Sequence, residues 1–124
     1  MSVQTISIDG IDYVRKDAID ETAINTDGLT YAIVRGDRSG VFAGYMDLQD
    51  HYGTTAVTLN KCRRLWYWAG AASLSQLAVD GTSKPTECKF TVETNEHKIL
   101  DTLEIIPVTT KARDSIASVE DWTA

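Results

Sequence analysis

Leu29-Thr30-Tyr31-Ala32-Ile33-Val34-Arg35, Gly36-Asp37-Arg38-Ser39-Gly40 and Val41-Phe42-Ala43-Gly44-Tyr45-Met46 follow one another without a gap. The outer two runs are rich in β-branched and aromatic residues, which suit a pleated, half-buried surface. The segment between them has the Gly, Asp and Ser content of a tight turn. Strands joined this closely pair antiparallel, because a parallel pair needs a long crossover. The stretch therefore predicts an antiparallel sheet. Gly44, inside the second strand, predicts a β-bulge or the close approach of another backbone.

Downstream, His51-Tyr52-Gly53 turns the chain, and Thr55-Ala56-Val57-Thr58-Leu59 reads as a third strand. It continues, with a break, from Cys62 to Trp68, completing a meander. Upstream, Val3 to Ile8 alternates apolar and polar, Asp9-Gly10 follows, and Ile11 to Val14 resumes the alternation. Asp-Gly between alternating runs predicts a hairpin, since a type I′ turn needs positive φ at both central residues. Residues 15–28 are charged, poor in large apolar groups, and read as a mobile loop or short helix.

Past Trp68 the pattern becomes helical. Ser73 with Gln76 three residues on fits a capping box, Leu74, Leu77 and Ala78 recur at helical spacing, and Gly81 is placed to end the helix in a left-handed conformation. Pro85 forbids its continuation. Cys88 to Val92 alternates as a strand, and Ile99 to Val108 reads as another, with Pro107 marking its end or an edge. Lys111 to Val119 favours a final helix, with Trp122 as a terminal anchor. The fold class is α+β: a mostly antiparallel β-sheet, hairpin plus meander, with one short central helix and a C-terminal helix.

The 124 residues suit a single domain, 1–124, with 1–28 as the hairpin and loop and 29–124 as the main sheet and helices. Hydrophobic residues make up 43%, too many for a disordered chain and too dispersed for a membrane span. Twelve basic against eighteen acidic side chains give a net charge of −6. That acidity argues against binding a long nucleic-acid duplex, which needs many phosphate contacts. Residues 35–68 nevertheless carry five basic and three acidic groups, a local hint of an anion site. No export signal is visible at the N-terminus. Cys62 and Cys88 read as buried small hydrophobes and not as a disulfide.

The most unusual segment is Lys61-Cys62-Arg63-Arg64-Leu65-Trp66-Tyr67-Trp68. As a strand it places Arg64, Trp66 and Trp68 on one face and Arg63, Leu65 and Tyr67 on the other. Indoles can stack a base while guanidinium groups pair a phosphate. The plainer account has the tryptophans filling the core or a subunit contact and the arginines reaching solvent. The Arg35 to Gly40 turn is a second candidate, since glycine-rich turns form nests of backbone amides for anions; the plain hairpin turn is its alternative. The candidate ligand-binding residues are thus Arg35, Arg38, Arg63, Arg64, Trp66 and Trp68.

Catalytic signals are thin. His51 and His97 form no metal-binding spacing, and no Gly-x-Ser-x-Gly elbow is present. Cys62 beside two arginines is a candidate reactive thiolate, with an inert buried thiol as the alternative. No catalytic residue, metal or cofactor is assigned.

Tyr31 to Tyr45, together with Arg63-Arg64-Leu65-Trp66-Tyr67-Trp68-Ala69-Gly70-Ala71-Ala72-Ser73-Leu74, resembles a family of small uncharacterised proteins of tailed bacteriophages and prophages, a domain of unknown function. The likeness extends to Cys88-Lys89-Phe90 and Glu104-Ile105-Ile106-Pro107, covering about residues 29–122. It implies a phage accessory or virion-associated protein in the host cytoplasm and supplies no site residues. The expectation is a non-enzymatic, homo-oligomeric binding protein that counteracts host defence by sequestering a nucleotide-like second messenger, a small anionic ligand, or a host protein. Neither membrane nor long duplex is an expected partner. The alternative is a virion or assembly component that uses the Trp-rich strand as a subunit contact, and a small enzyme is a third, weaker reading.

Overall fold

The computed structural model describes residues 6–8, 11–13, 21–49 and 54–124. Strands β1 (Ile6–Ile8) and β2 (Ile11–Tyr13) pair antiparallel as a small sheet, with Ile8 opposite Ile11. The expected hairpin strands are present; the Asp9-Gly10 turn, residues 15–20 and the His51-Tyr52-Gly53 turn lie outside the described residues.

A larger antiparallel sheet contains β3 (Thr30–Gly36), β4 (Val41–Met46), β5 (Val57–Tyr67), β6 (Lys89–Phe90), β7 (Thr94–Ile99) and β8 (Thr102–Pro107). Its order is β6–β5–β4–β3–β8, and β7 also pairs with β5. The far edge of β5 is shared, β7 running along Val57 to Cys62 and β6 along Leu65 to Tyr67. Two helices, α1 (Leu74–Asp80) and α2 (Thr110–Ser118), complete the α+β fold that the sequence predicts.

The expected strand from Ile99 to Val108 is β8, and a further strand, β7, precedes it where none is expected. β7 and β8 lie at opposite ends of the strand order, yet only Leu100-Asp101 joins them. The sheet therefore curls until its ends meet at one corner. There Thr102 N–H donates to the Thr55 carbonyl (3.2 Å), and Thr55 Oγ1 donates to the Leu100 carbonyl (2.8 Å). β7 is hard to read in sequence because Thr94-Asn95-Glu96-His97-Lys98 is polar, as befits an edge strand with a solvated face. The β8 edge is blunted. Val108 N–H bonds to Tyr31 O, so by alternation Pro107, which has no N–H, faces the unpaired side.

Curling gives the sheet two apolar faces. The inner one gathers Ala32, Val34, Phe42, Met46, Val57, Leu59, Cys62 and Ile99. The outer one packs Ile33, Ala43, Leu65 and Phe90 against Leu77 and Ala78 of α1 and Ala112 and Ile116 of α2. Burying a side chain such as Phe42 or Leu77, both fully enclosed, contributes about 1.5–3 kcal/mol. Ser73 caps α1 as expected, its hydroxyl accepting Gln76 N–H at 3.2 Å. Gly81 ends the helix at φ 76°, but with ψ −158°, outside the left-handed helical basin. Thr109 caps α2 and ties the helices together: its hydroxyl accepts Ala112 N–H (3.1 Å) and donates to the Val79 carbonyl (2.7 Å).

The break expected in the third strand is a bulge within a continuous β5. Ala43 faces Arg63, but Tyr45 faces Asn60, so β5 carries one extra residue. Lys61 absorbs it at φ 53°. Gly44 lies opposite, where an added Cβ would come within 3.0 Å of the Asn60 carbonyl and 3.1 Å of Cys62 Cα. Side chains alternate along a strand, so the bulge resets the parity. Val57 and Leu59 face the inner cluster, and past Lys61 that role passes to Cys62, leaving Arg63 and Leu65 towards the helices.

Candidate functional site

β5 is also the element that carries the basic and aromatic cluster. Alternation puts its two arginines on opposite faces, and the bulge decides which faces those are. Arg63 is 6% exposed and every edge of its guanidinium is used. Nε donates to Thr91 O (2.9 Å), Nη1 to Ile116 O (2.8 Å), and Nη2 to Phe90 O and Asp121 Oδ1 (both 3.2 Å). A buried guanidinium is tolerated only when most of its donors are satisfied, here four of five. Ile116 O is an end carbonyl of α2, where a cation is favoured by the helix dipole. Arg63 thus ties β5, the β6 strand, α2 and the C-terminal segment together.

Arg64 points the other way. Its guanidinium lies 4.4 Å from the centroid of Phe42 and donates to the Ser39 carbonyl. Arg35 pairs with its cross-strand neighbour Glu104 at 2.9 Å. Arg38 sits in the β3–β4 turn, with no ion pair for its side chain among the described residues. The six candidate residues are therefore not brought to one surface.

Trp66 and Trp68 also part company. β5 ends at Tyr67, and its register on β6 shifts between Leu65 and Tyr67. Alternation consequently stops before Trp68, which packs partly buried against the helix-side core. The shared face read from the sequence extends only to Trp66. That indole is 62% exposed and stacks on Trp122, with ring centroids 6.2 Å apart and planes at 11°. Lys89 Nζ lies 5.3 Å from the Trp122 ring centre, and Tyr67, across from Lys89, is 53% exposed. Trp122 is anchored as expected, its N–H donating to Phe90 O at 2.8 Å, but its ring stays 44% exposed.

Trp66, Trp122, Tyr67 and Lys89 form an exposed aromatic face with a cation on it. Sequence reasoning placed Trp66 there and missed the other three. Their partnership depends on β6 and the chain end meeting across β5, and no local pattern encodes that.

Cys62 is inert. Burial pushes its thiol up to about 12, outweighing the opposite pull of Arg64. Among the described residues no three His, Cys, Asp or Glu side chains are grouped to hold a metal. No helix of the described residues is long and apolar enough to cross a membrane.

These features define a β-dominated α+β domain with an exposed indole pair at one edge of its sheet. The chain belongs to the family described as Domain of unknown function (DUF6948), whose model matches residues 29–116. That span contains the larger sheet and most of α2, and stops short of Trp122. No curated protein and no solved structure matches the chain.

Proposed function

We propose that this chain is a non-enzymatic binding protein whose stacked indoles, Trp66 and Trp122, receive a flat, anionic ligand of nucleotide type. The supporting observation is the near-parallel, solvent-reachable ring pair with the Lys89 ammonium beside it. Stacking on an aromatic side chain contributes about 1–3 kcal/mol per base. Lys89 is the phosphate partner in this reading, because Arg63 and Arg35 are already committed to acceptors within the fold. The biological setting belongs to the same proposal. In it the chain is a phage accessory protein in the host cytoplasm that sequesters a nucleotide second messenger of host defence.

The test is titration with cyclic dinucleotides and ADP-ribose derivatives, followed by indole emission and calorimetry. Saturable quenching that disappears in Trp66→Ala supports the proposal. Absence of heat and quenching for the whole panel at high micromolar concentration overturns it.

A second reading draws on the same face. Trp66, Tyr67 and Trp122 adjoin the two-residue edge strand β6, and large aromatics dominate the energetics of subunit contacts. The chain is then an oligomeric or virion component. Sedimentation showing a self-associating wild type and a monomeric Trp66→Ala, without nucleotide binding, favours this reading.

A further inference from the structure

A second site follows from the bulge in β5. The helix-facing side of the sheet holds a cavity of about 400 Å³, bounded by β3, β4, β5 and α2. Pockets for small ligands commonly fall in the range of about 300–1,000 Å³. Three observations give this one a chemical character.

Tyr31 lines it and is only 5% exposed, yet its hydroxyl makes no hydrogen bond among the described residues. Among the described residues Thr102 Oγ1 is the one enclosed side-chain polar atom without a partner, so the Tyr31 oxygen opens onto the cavity, where it can donate to a ligand acceptor. Desolvation raises its pKa well above the ordinary phenol value, which keeps the O–H a donor.

Tyr45 stands edge-on to Tyr31, with centroids 5.0 Å apart. Its oxygen accepts from Arg113 Nη1 at 3.3 Å, leaving its own proton to donate. Arg113 is steadied from behind by Asp114 at 3.0 Å.

Lys61 lines the same cavity and forms no ion pair among the described residues. An unbulged β5 would aim position 61 at the inner apolar cluster, the face taken by Val57 and Leu59. The left-handed backbone at Lys61 costs on the order of 1 kcal/mol for a residue with a Cβ. Strain of this kind is typical of residues held for function.

We propose that this cavity binds a small molecule through an oxyanion headgroup, a phosphate monoester or a carboxylate. Tyr31, Tyr45, Lys61 and Arg113 supply the donors. Three carboxylates share the lining: Asp121 and Asp114 pair with Arg63 and Arg113, while Glu93 disfavours polyanions and offers an acceptor to a donor on the ligand. The site is independent of the indole face.

The experiment is a titration of the whole chain with inorganic phosphate and, separately, with succinate, following backbone amide shifts by NMR. Two variants accompany it. Tyr31→Phe removes only the hydroxyl, and Lys61→Gly removes the cation while keeping a backbone that tolerates positive φ. The expected result is saturable shifts at Tyr31, Tyr45, Lys61 and Arg113 with one or both anions, the responding anion identifying the headgroup. Each variant should bind about tenfold more weakly. Lys61→Gly should melt no lower than wild type, which separates lost binding from lost structure, and Trp66→Ala should bind unchanged. No shifts at those residues up to millimolar anion, or shifts unaltered in both variants, overturn the proposal.

Discussion

Asp101 holds Ser39 with both oxygens of its carboxylate: Oδ2 accepts the Ser39 N–H at 3.0 Å and Oδ1 its hydroxyl at 2.6 Å. Oδ2 also accepts the Arg38 N–H at 2.7 Å. The β3–β4 hairpin turn is therefore also a nest of backbone amides, and its anion is the protein's own. Gly36 is required beside it, because a Cβ there would lie 2.6 Å from Asp101 Oδ1. An external anion would have to displace Asp101, so this turn is not a vacant phosphate site.

The Ser39 hydroxyl and the two amides hold the Asp101 carboxyl below the ordinary carboxylate range. A carboxyl depressed in the native state stabilises above its unfolded-state pKa, and the contribution fades as pH falls through the lower native value. Asp101→Asn should therefore unfold at lower urea than wild type at neutral pH. The two midpoints should converge in acid; a constant gap at all pH values would exclude the charged nest as its cause.

Arg63 is the counterpart in the core. Arg63→Ala leaves the Thr91 carbonyl without its donor, takes one of two donors from the Phe90 and Ile116 carbonyls, and should cost about 1–3 kcal/mol by chemical denaturation. Arg63→Lys should recover only part of this, since an ammonium cannot reach all four acceptors in one plane.

Gly44→Ala tests the bulge. Its Cβ would press on the backbone of Asn60 and Cys62, where no flexible side chain can yield. The expected loss is about 1–3 kcal/mol, measured as a lower melting temperature. A neutral substitution would show that β5 can relax its extra residue.

Alkaline pH should destabilise the fold before it ionises the native core. Cys62 is raised to about 12 by burial, and Tyr31 is raised as well. Above the ordinary thiol pKa of about 8.5 the unfolded chain releases protons that the native state keeps. Stability then falls with rising pH, by up to about 1.4 kcal/mol per pH unit for each such group. Cys62→Ala should flatten the first part of that slope in urea titrations at increasing pH.

Much of the fold was legible because its signals are local. Gly44 announces the close approach of another backbone, Ser73 and Gln76 announce a cap within one turn, and the Leu29–Met46 run contains both strands and the turn that pairs them. β7 escaped because an edge strand with a wet face has no apolar alternation to detect. The site was legible only in part for a related reason. Arg63 looks in sequence like Arg64, and only acceptors from positions 90, 91, 116 and 121, all distant along the chain, decide that it is buried. Trp68 depends likewise on where β5 stops.

The Leu100-Asp101 joint has a consequence for the order of events during folding. Strands joined by two residues usually zip together first, as a nucleus that needs nothing else. Here that shortcut is closed, because β7 and β8 must each find a partner far along the chain, Val57–Cys62 and Ala32–Gly36 respectively. Loop-closure entropy must be overcome before either contact gives a return, so acquisition of the native state should be slow for a chain of this size. Severing the backbone between Leu100 and Asp101 would free both edges, leaving two strands able to seek their mates on a neighbouring molecule.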